Sequence, residues 1–214
     1  IPYIAEHCGR RNILFSCTPF YLDAVEQLLP YVDFYKVASY ELLWNDLLKL
    51  CAQTGKPVVL STGMATMQEV NSAVEILRTF RCENLTLLHC VSGYPAPAAE
   101  CNLAAIDTIR RECKCSVGWS DHSVKPEVIY RAVHRWNAEM IEFHMDIEGR
   151  GGEFDIGHCW LPEQIGIVIK TIREGLRSDG NGEKSPVPSE LSDREWRADP
   201  LDGLRPMRSI RILI

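Results

Sequence analysis
A chain of 214 residues, 46% hydrophobic and 24% charged, has the composition of an ordinary globular protein with room for one sizeable core. Its net charge of −6 disfavours nucleic acid and anionic membrane surfaces as partners, because both select basic faces. No apolar run approaches a membrane span, there is no basic-then-apolar leader, and nine cysteines without paired CxxC spacing read as reduced, buried thiols of a cytoplasmic protein.

Residues 3–11 (YIAEHCGRR) read as the end of a helix that feeds a first strand. Six short apolar runs follow, each ending in small polar or ionisable residues: ILFSCTPF from Ile13, FYKVAS from Phe34, VVLSTG from Val58, LTLLHC from Leu85, CSVGWSDH from Cys115 and EMIEFH from Glu139. Helical periodicity occupies 21–29, 43–54, 66–80, 102–112, 124–137 and 161–177. Gly55-Lys56-Pro57 ends one helix and opens the next strand. The runs are aliphatic on both faces, as strands of a parallel sheet covered by helices are. This alternation predicts an α/β fold of the TIM (β/α)8 type, of which residues 1–178 supply about six βα units. GRGGEFDIGH, after the sixth run, reads as a Gly-rich loop. Residues 179–214, rich in Pro, Gly and charge, read as a C-terminal tail with Trp196 as its one large apolar anchor.

In β/α barrels the chemistry sits at the C-terminal ends of the strands. Here those ends carry Thr18, Lys36 with Ser39 and Glu41, Ser61 with Thr62, His89 with Ser92 and Tyr94, Ser120 with His122, and His144. Lys36 lies inside an apolar strand, where a buried ammonium needs an anionic partner. That partner is a bound phosphate, or simply Glu41 or a nearby aspartate; a Schiff-base role is the further alternative. The surrounding hydroxyls favour phosphate, since several O–H donors around one cation form an oxyanion cradle. His122 and His144 end consecutive strands, and neighbouring strands lie ~5 Å apart. Two imidazoles so placed can share a divalent ion, Mn²⁺ or Mg²⁺ rather than Zn²⁺, or each can be a hydrogen-bonded strand-end residue. His89 reads as a core histidine. Asp155 and His158, in the Gly-rich loop, either position substrate or cap the following helix. Gly63 and Asp121 read as structural.

The motifs FSCTPF, FYKVASYE, KPVVLSTGMAT, LLHCVSGYPAP, VGWSDHS and EMIEFH, in that order, resemble the sialic acid synthase family (N-acetylneuraminate synthase and its relatives) from about residue 12 to 178. The resemblance implies a TIM barrel that condenses phosphoenolpyruvate with an N-acetylated amino sugar such as N-acetylmannosamine, in carbohydrate biosynthesis. The product is a nine-carbon 2-keto sugar acid plus phosphate, and a divalent metal is required. By the same resemblance Thr18, Lys36, Ser39, Ser61, Ser92 and Ser120 would hold phosphoenolpyruvate, Lys36 and Glu41 being catalytic. Glu41, Tyr94 and Asp155 would contact the sugar, and His122 and His144 the metal.

Measured against the family pattern, the first two barrel strands and the antifreeze-like C-terminal domain are not found. Tyr40 is bulky where a small residue is common, Met145 replaces an aromatic, and GRGGEFDIGH lacks the usual proline-containing form. Alongside a truncated synthase, the sequence therefore leaves two readings open: a silent fragment or partner subunit that binds ligand without turnover, and an aldolase using Lys36. An open barrel edge predicts either a homodimer or poor stability in isolation.

Overall fold
The computed structural model describes residues 1–211, which group into two compact units, Ile1–Ile172 and Arg173–Ile214. In the first, seven parallel strands lie in chain order: β1 (Ser16–Cys17), β2 (Phe34–Val37), β3 (Val58–Ser61), β4 (Leu85–Cys90), β5 (Ser116–Asp121), β6 (Ile141–Met145) and β7 (Cys159–Trp160). The helices are α1 (Pro2–Arg10), α2 (Leu22–Leu28), α3 (Asn45–Gln53), α4 (Met67–Thr79), α5 (Ala105–Cys113), α6 (Pro126–Trp136), α7 (Gly152–Ile156) and α8 (Pro162–Ser178). None is long and apolar enough to cross a membrane among the described residues.

All six expected runs carry strands, and the count rises to seven because β7 pairs with β6, placing Cys159 opposite His144. β7 has two residues, too few for an apolar run to stand out. Its signal is Trp160 just before Pro162, which opens α8. The Gly-rich loop is also partly ordered, since Gly152–Ile156 forms α7. The first run contributes less than its length promised: only Ser16 and Cys17 pair, and only with β2.

Local chemistry sets the element ends. Thr66 and Glu69 form a reciprocal capping box at the start of α4. Lys114 and Asn137 close α5 and α6 in the left-handed conformation. The Arg110 guanidinium donates to the carbonyls of Trp136 and Asn137 at 3.1 and 2.7 Å, satisfying acceptors that the end of α6 leaves free. Between helices and sheet lie fully buried Leu47 of α3, Leu77 of α4, Ile106 of α5, and Leu60 and Leu87 of the strands. Each contributes roughly 2 kcal/mol on leaving water. A second cluster joins Ile129 of α6 to Trp160, Ile165 and Val168.

The sheet curls. Lys36 on β2 and Glu142 on β6 are four strands apart in order, ~19 Å in a flat sheet, yet Nζ lies 3.3 Å from Oε2. The seven strands therefore form a half-barrel with an inner face. Gly118 makes the close passage of β5 past β6 possible, because a Cβ there would fall 2.3 Å from the Met140 carbonyl oxygen.

The second unit contains 3-10 turns at Pro188–Glu190 and Arg194–Trp196 and a short helix α9 (Arg208–Arg211). Polar groups organise it. Asp199 accepts from the Leu201 and Arg208 amides at 3.0 and 2.7 Å, and Asp202 pairs with Arg211 at 2.6 Å. Trp196, the expected apolar anchor, is 62% exposed. All nine cysteines are free, and Cys51, Cys82, Cys90, Cys101, Cys113 and Cys159 are buried.

Candidate active site
Parallel strands deliver their C-terminal ends to one rim, so residues distant in sequence meet there. A cavity of about 330 Å³ opens at that rim, and Thr18, Lys36, Ser39, Ser61, Tyr94 and Ser120 line it together with His122 and His144. A larger cavity of about 680 Å³ opens at the opposite, N-terminal strand ends and contains none of the predicted site residues.

The hydroxyl floor is built around Gly63, whose amide donates to Ser39 Oγ at 2.9 Å. A Cβ at Gly63 would fall 2.3 Å from Ser92 Oγ, 2.9 Å from Ser39 Oγ and 3.0 Å from Cys90 Sγ. Only glycine lets these groups close in. Ser92 thus sits beside the cavity residues without lining the cavity itself. Ser61 Oγ is buried and has no hydrogen-bond partner among the described residues, whereas the buried Ser92 Oγ interacts with the Tyr94 hydroxyl. Buried hydroxyls in folded proteins are normally satisfied, so the orphaned Ser61 hydroxyl marks a place for an acceptor.

Beside them Lys36 pairs with Glu142 at 3.3 Å, and Ser120 Oγ donates to the other Glu142 oxygen at 2.7 Å. Glu142 was not singled out from the sequence. Its signal was of the same kind as that of Lys36: a charge inside an apolar run, two residues before His144 and so on the same strand face. Lys36 is thus ion-paired rather than walled by apolar side chains, which is not the setting of a Schiff-base lysine.

His122 Nδ1 lies 2.7 Å from the Val91 carbonyl oxygen. A carbonyl only accepts, so Nδ1 carries the hydrogen and Nε2 keeps its lone pair. The His122 and His144 rings lie 5.2 Å apart. Burial is the main cause that lowers both pKa values, and the neighbouring histidines lower that of His144 further. The donor set fits a divalent ion: two neutral imidazoles, one held in the ligating tautomer by a backbone carbonyl. Among the described residues no three His, Cys, Asp or Glu side chains converge on such an ion, leaving its other positions to oxygen donors. Tyr94 stacks on His122 at 4.3 Å and meets His144 and His158 edge-on at 5.9 and 5.0 Å. His158 is buried, with Nε2 3.1 Å from Glu153.

Asp121 is structural, as read from the sequence. It is fully buried, accepts from Trp119 and Trp160, and so ties the end of β5 to β7 directly before His122. His89 is likewise a core residue, with Nε2 2.9 Å from the Cys101 carbonyl. Besides Ser92, two predicted site residues do not line the cavity. Glu41 ends the 3-10 turn Ser39–Glu41, its Oε2 is buried and unpartnered, and burial raises its pKa. Asp155 lies exposed on α7.

The family model described as NeuB family matches residues 1–184. An uncharacterized protein of Methanocaldococcus jannaschii is 36% identical over 192 residues, which cover 87% of this chain and 56% of that protein. N,N'-diacetyllegionaminic acid synthase of Campylobacter jejuni is 33% identical over 187 residues, covering 86% and 56%. Among solved structures, N-acetylneuraminic acid synthetase from Leptospira borgpetersenii in complex with citrate superposes with a TM-score of 0.76 at 32% identity, over 91% of this chain and 68% of that one. The chain spans about half the length of the curated relatives it matches.

Proposed function
The chain belongs to the NeuB family, and from that premise we propose that it serves to condense phosphoenolpyruvate with an N-acetylated amino sugar, releasing phosphate and a nine-carbon 2-keto sugar acid. The observation that carries this reading is the buried, unpartnered Ser61 hydroxyl in the same strand-end cavity as Lys36 and Ser120. A phosphoryl oxygen supplies the acceptor that this hydroxyl lacks. Relatives that are an N,N'-diacetyllegionaminic acid synthase and an N-acetylneuraminic acid synthetase support it.

Lys36, Ser39, Ser61, Ser92, Ser120 and Thr18 hold the phosphate and carboxylate of phosphoenolpyruvate, orienting carbon 3 toward the His122 side of the cavity. A divalent cation, Mn²⁺ or Mg²⁺, held by His122 and His144 supplies Lewis-acid polarisation of the sugar aldehyde. Carbon 3 bonds to the aldehyde carbon, water adds at carbon 2, and the bond from carbon 2 to the phosphate oxygen then breaks. Tyr94, stacked on His122, walls the sugar. The unpartnered Glu41 oxygen accepts a sugar hydroxyl, and Asp155 contributes from the far side.

The test is phosphate release from phosphoenolpyruvate and N-acetylmannosamine with Mn²⁺. His122→Ala, His144→Ala and Lys36→Met are each expected to lower turnover at least ~100-fold. Undiminished turnover in both histidine variants refutes the metal assignment. Borohydride trapping of pyruvate on Lys36 would instead establish an aldolase.

A further inference from the structure
The cradle assigned to the substrate anion already holds an anion of the chain itself. Glu142 engages Lys36 through one oxygen at 3.3 Å and Ser120 through the other at 2.7 Å. Lys36 is the one Lys or Arg, and Glu142 the one carboxylate, among the residues lining the cavity. Meanwhile the buried Ser61 hydroxyl stays without a partner among the described residues. The cradle is thus partly occupied: its cation and the Ser120 hydroxyl are taken, and the Ser61 hydroxyl is not.

A phosphate dianion cannot simply join this arrangement. To reach Lys36 it must come within ~4–6 Å of the Glu142 carboxylate, where like charges oppose each other strongly at a partly desolvated site. One partner has to yield. The Lys36 side chain is 15% exposed and Glu142 37%, so the carboxylate is the group with access to water and room to turn.

We propose that Glu142 is a displaceable stand-in for the substrate anion, holding Lys36 and Ser120 in register in the empty site and leaving them when the phosphorylated substrate binds. The inference rests on the phosphoenolpyruvate reading above and adds an affinity threshold to it. Displacing Glu142 costs binding energy, which a small anion such as inorganic phosphate recovers through few contacts. Phosphoenolpyruvate, with a phosphate and a carboxylate, recovers it through more. That cost is the same for either anion, so Glu142 raises the concentration at which free phosphate, the more weakly held product, would block the cradle.

The experiment is calorimetric titration of inorganic phosphate and, separately, phosphoenolpyruvate into the protein and into Glu142→Gln. The glutamine variant is expected to bind inorganic phosphate and phosphoenolpyruvate each about tenfold more tightly. The gain must disappear when Lys36→Met is added, a dependence that a merely structural role of Glu142 would not produce. Glu142→Ala is the second variant should the glutamine variant not fold, and it must show the same gain. Phosphate affinity unchanged or weakened in a variant with a normal melt overturns the proposal, as does a gain that persists without Lys36. Tighter phosphate binding in Glu142→Gln with no phosphoenolpyruvate binding to either protein upholds the stand-in role and refutes the proposed substrate.

Discussion
Replacing Asp121 with alanine tests whether the strand-end rim is held by one buried carboxylate. Oδ1 accepts from Trp119 Nε1 at 3.1 Å and Ser123 Oγ at 2.6 Å; Oδ2 accepts from Trp160 Nε1 at 2.9 Å and the Val124 amide at 3.2 Å. The Ser123 hydroxyl can turn to another acceptor, but both indoles lie in the core, with Trp119 at 0% and Trp160 at 2% exposure. Each stranded N–H costs about 1–3 kcal/mol, and the small void left by the carboxylate adds to that. Relief of the buried charge offsets part of the loss, so the expected destabilisation is about 3–4 kcal/mol. With a urea slope near ~2 kcal/mol/M, the unfolding midpoint followed by tryptophan fluorescence falls by about 1.5–2 M. Asp121→Asn keeps one acceptor oxygen and turns its NH₂ toward the other donors, so it should lose about half as much. A midpoint within ~0.5 M of the parent for Asp121→Ala would refute the hub argument.

Gly118→Ala presses a Cβ to 2.3 Å from the Met140 carbonyl oxygen, a backbone atom that cannot move aside alone. A cost of about 3 kcal/mol should lower the melting temperature by about 6–12 °C, and an unchanged melt contradicts the close passage of β5 and β6. Gly63→Ala meets only the ends of Ser92, Ser39 and Cys90, which can rotate. It should therefore melt within a few degrees of the parent yet bind phosphoenolpyruvate at least ~10-fold more weakly, and equal affinity would argue against the hydroxyl floor. Burial lowers His89, His122 and His144 from their ordinary 6.5, so the unfolded chain takes up protons first as the pH falls below that value. Stability present above about pH 6.5 should be lost on acidification, and a urea midpoint that is flat or rising from pH 7.5 to 5.5 would exclude this.

Six of the seven strands were legible because each lies in an apolar run bounded by helical periodicity. The cradle was legible for a related reason. In a parallel βα fold every strand end reaches the same rim, so Thr18, Lys36, Ser61, Ser120, His122 and His144 could be grouped without knowing any distance. β7 could not, since two residues carry no period. The Glu142 contacts were equally out of reach: strand order places Lys36 and Glu142 four strands apart, and only the curl of the sheet makes them partners. The same holds for Asp121, whose acceptors are claimed by indoles 2 and 39 residues away. What the sequence by itself determined, then, is which chemistry gathers at the rim, because strand-end position is a local property. Which of those groups are already paired and which are not was decided by tertiary structure alone, because pairing depends on distances across the curved inner face.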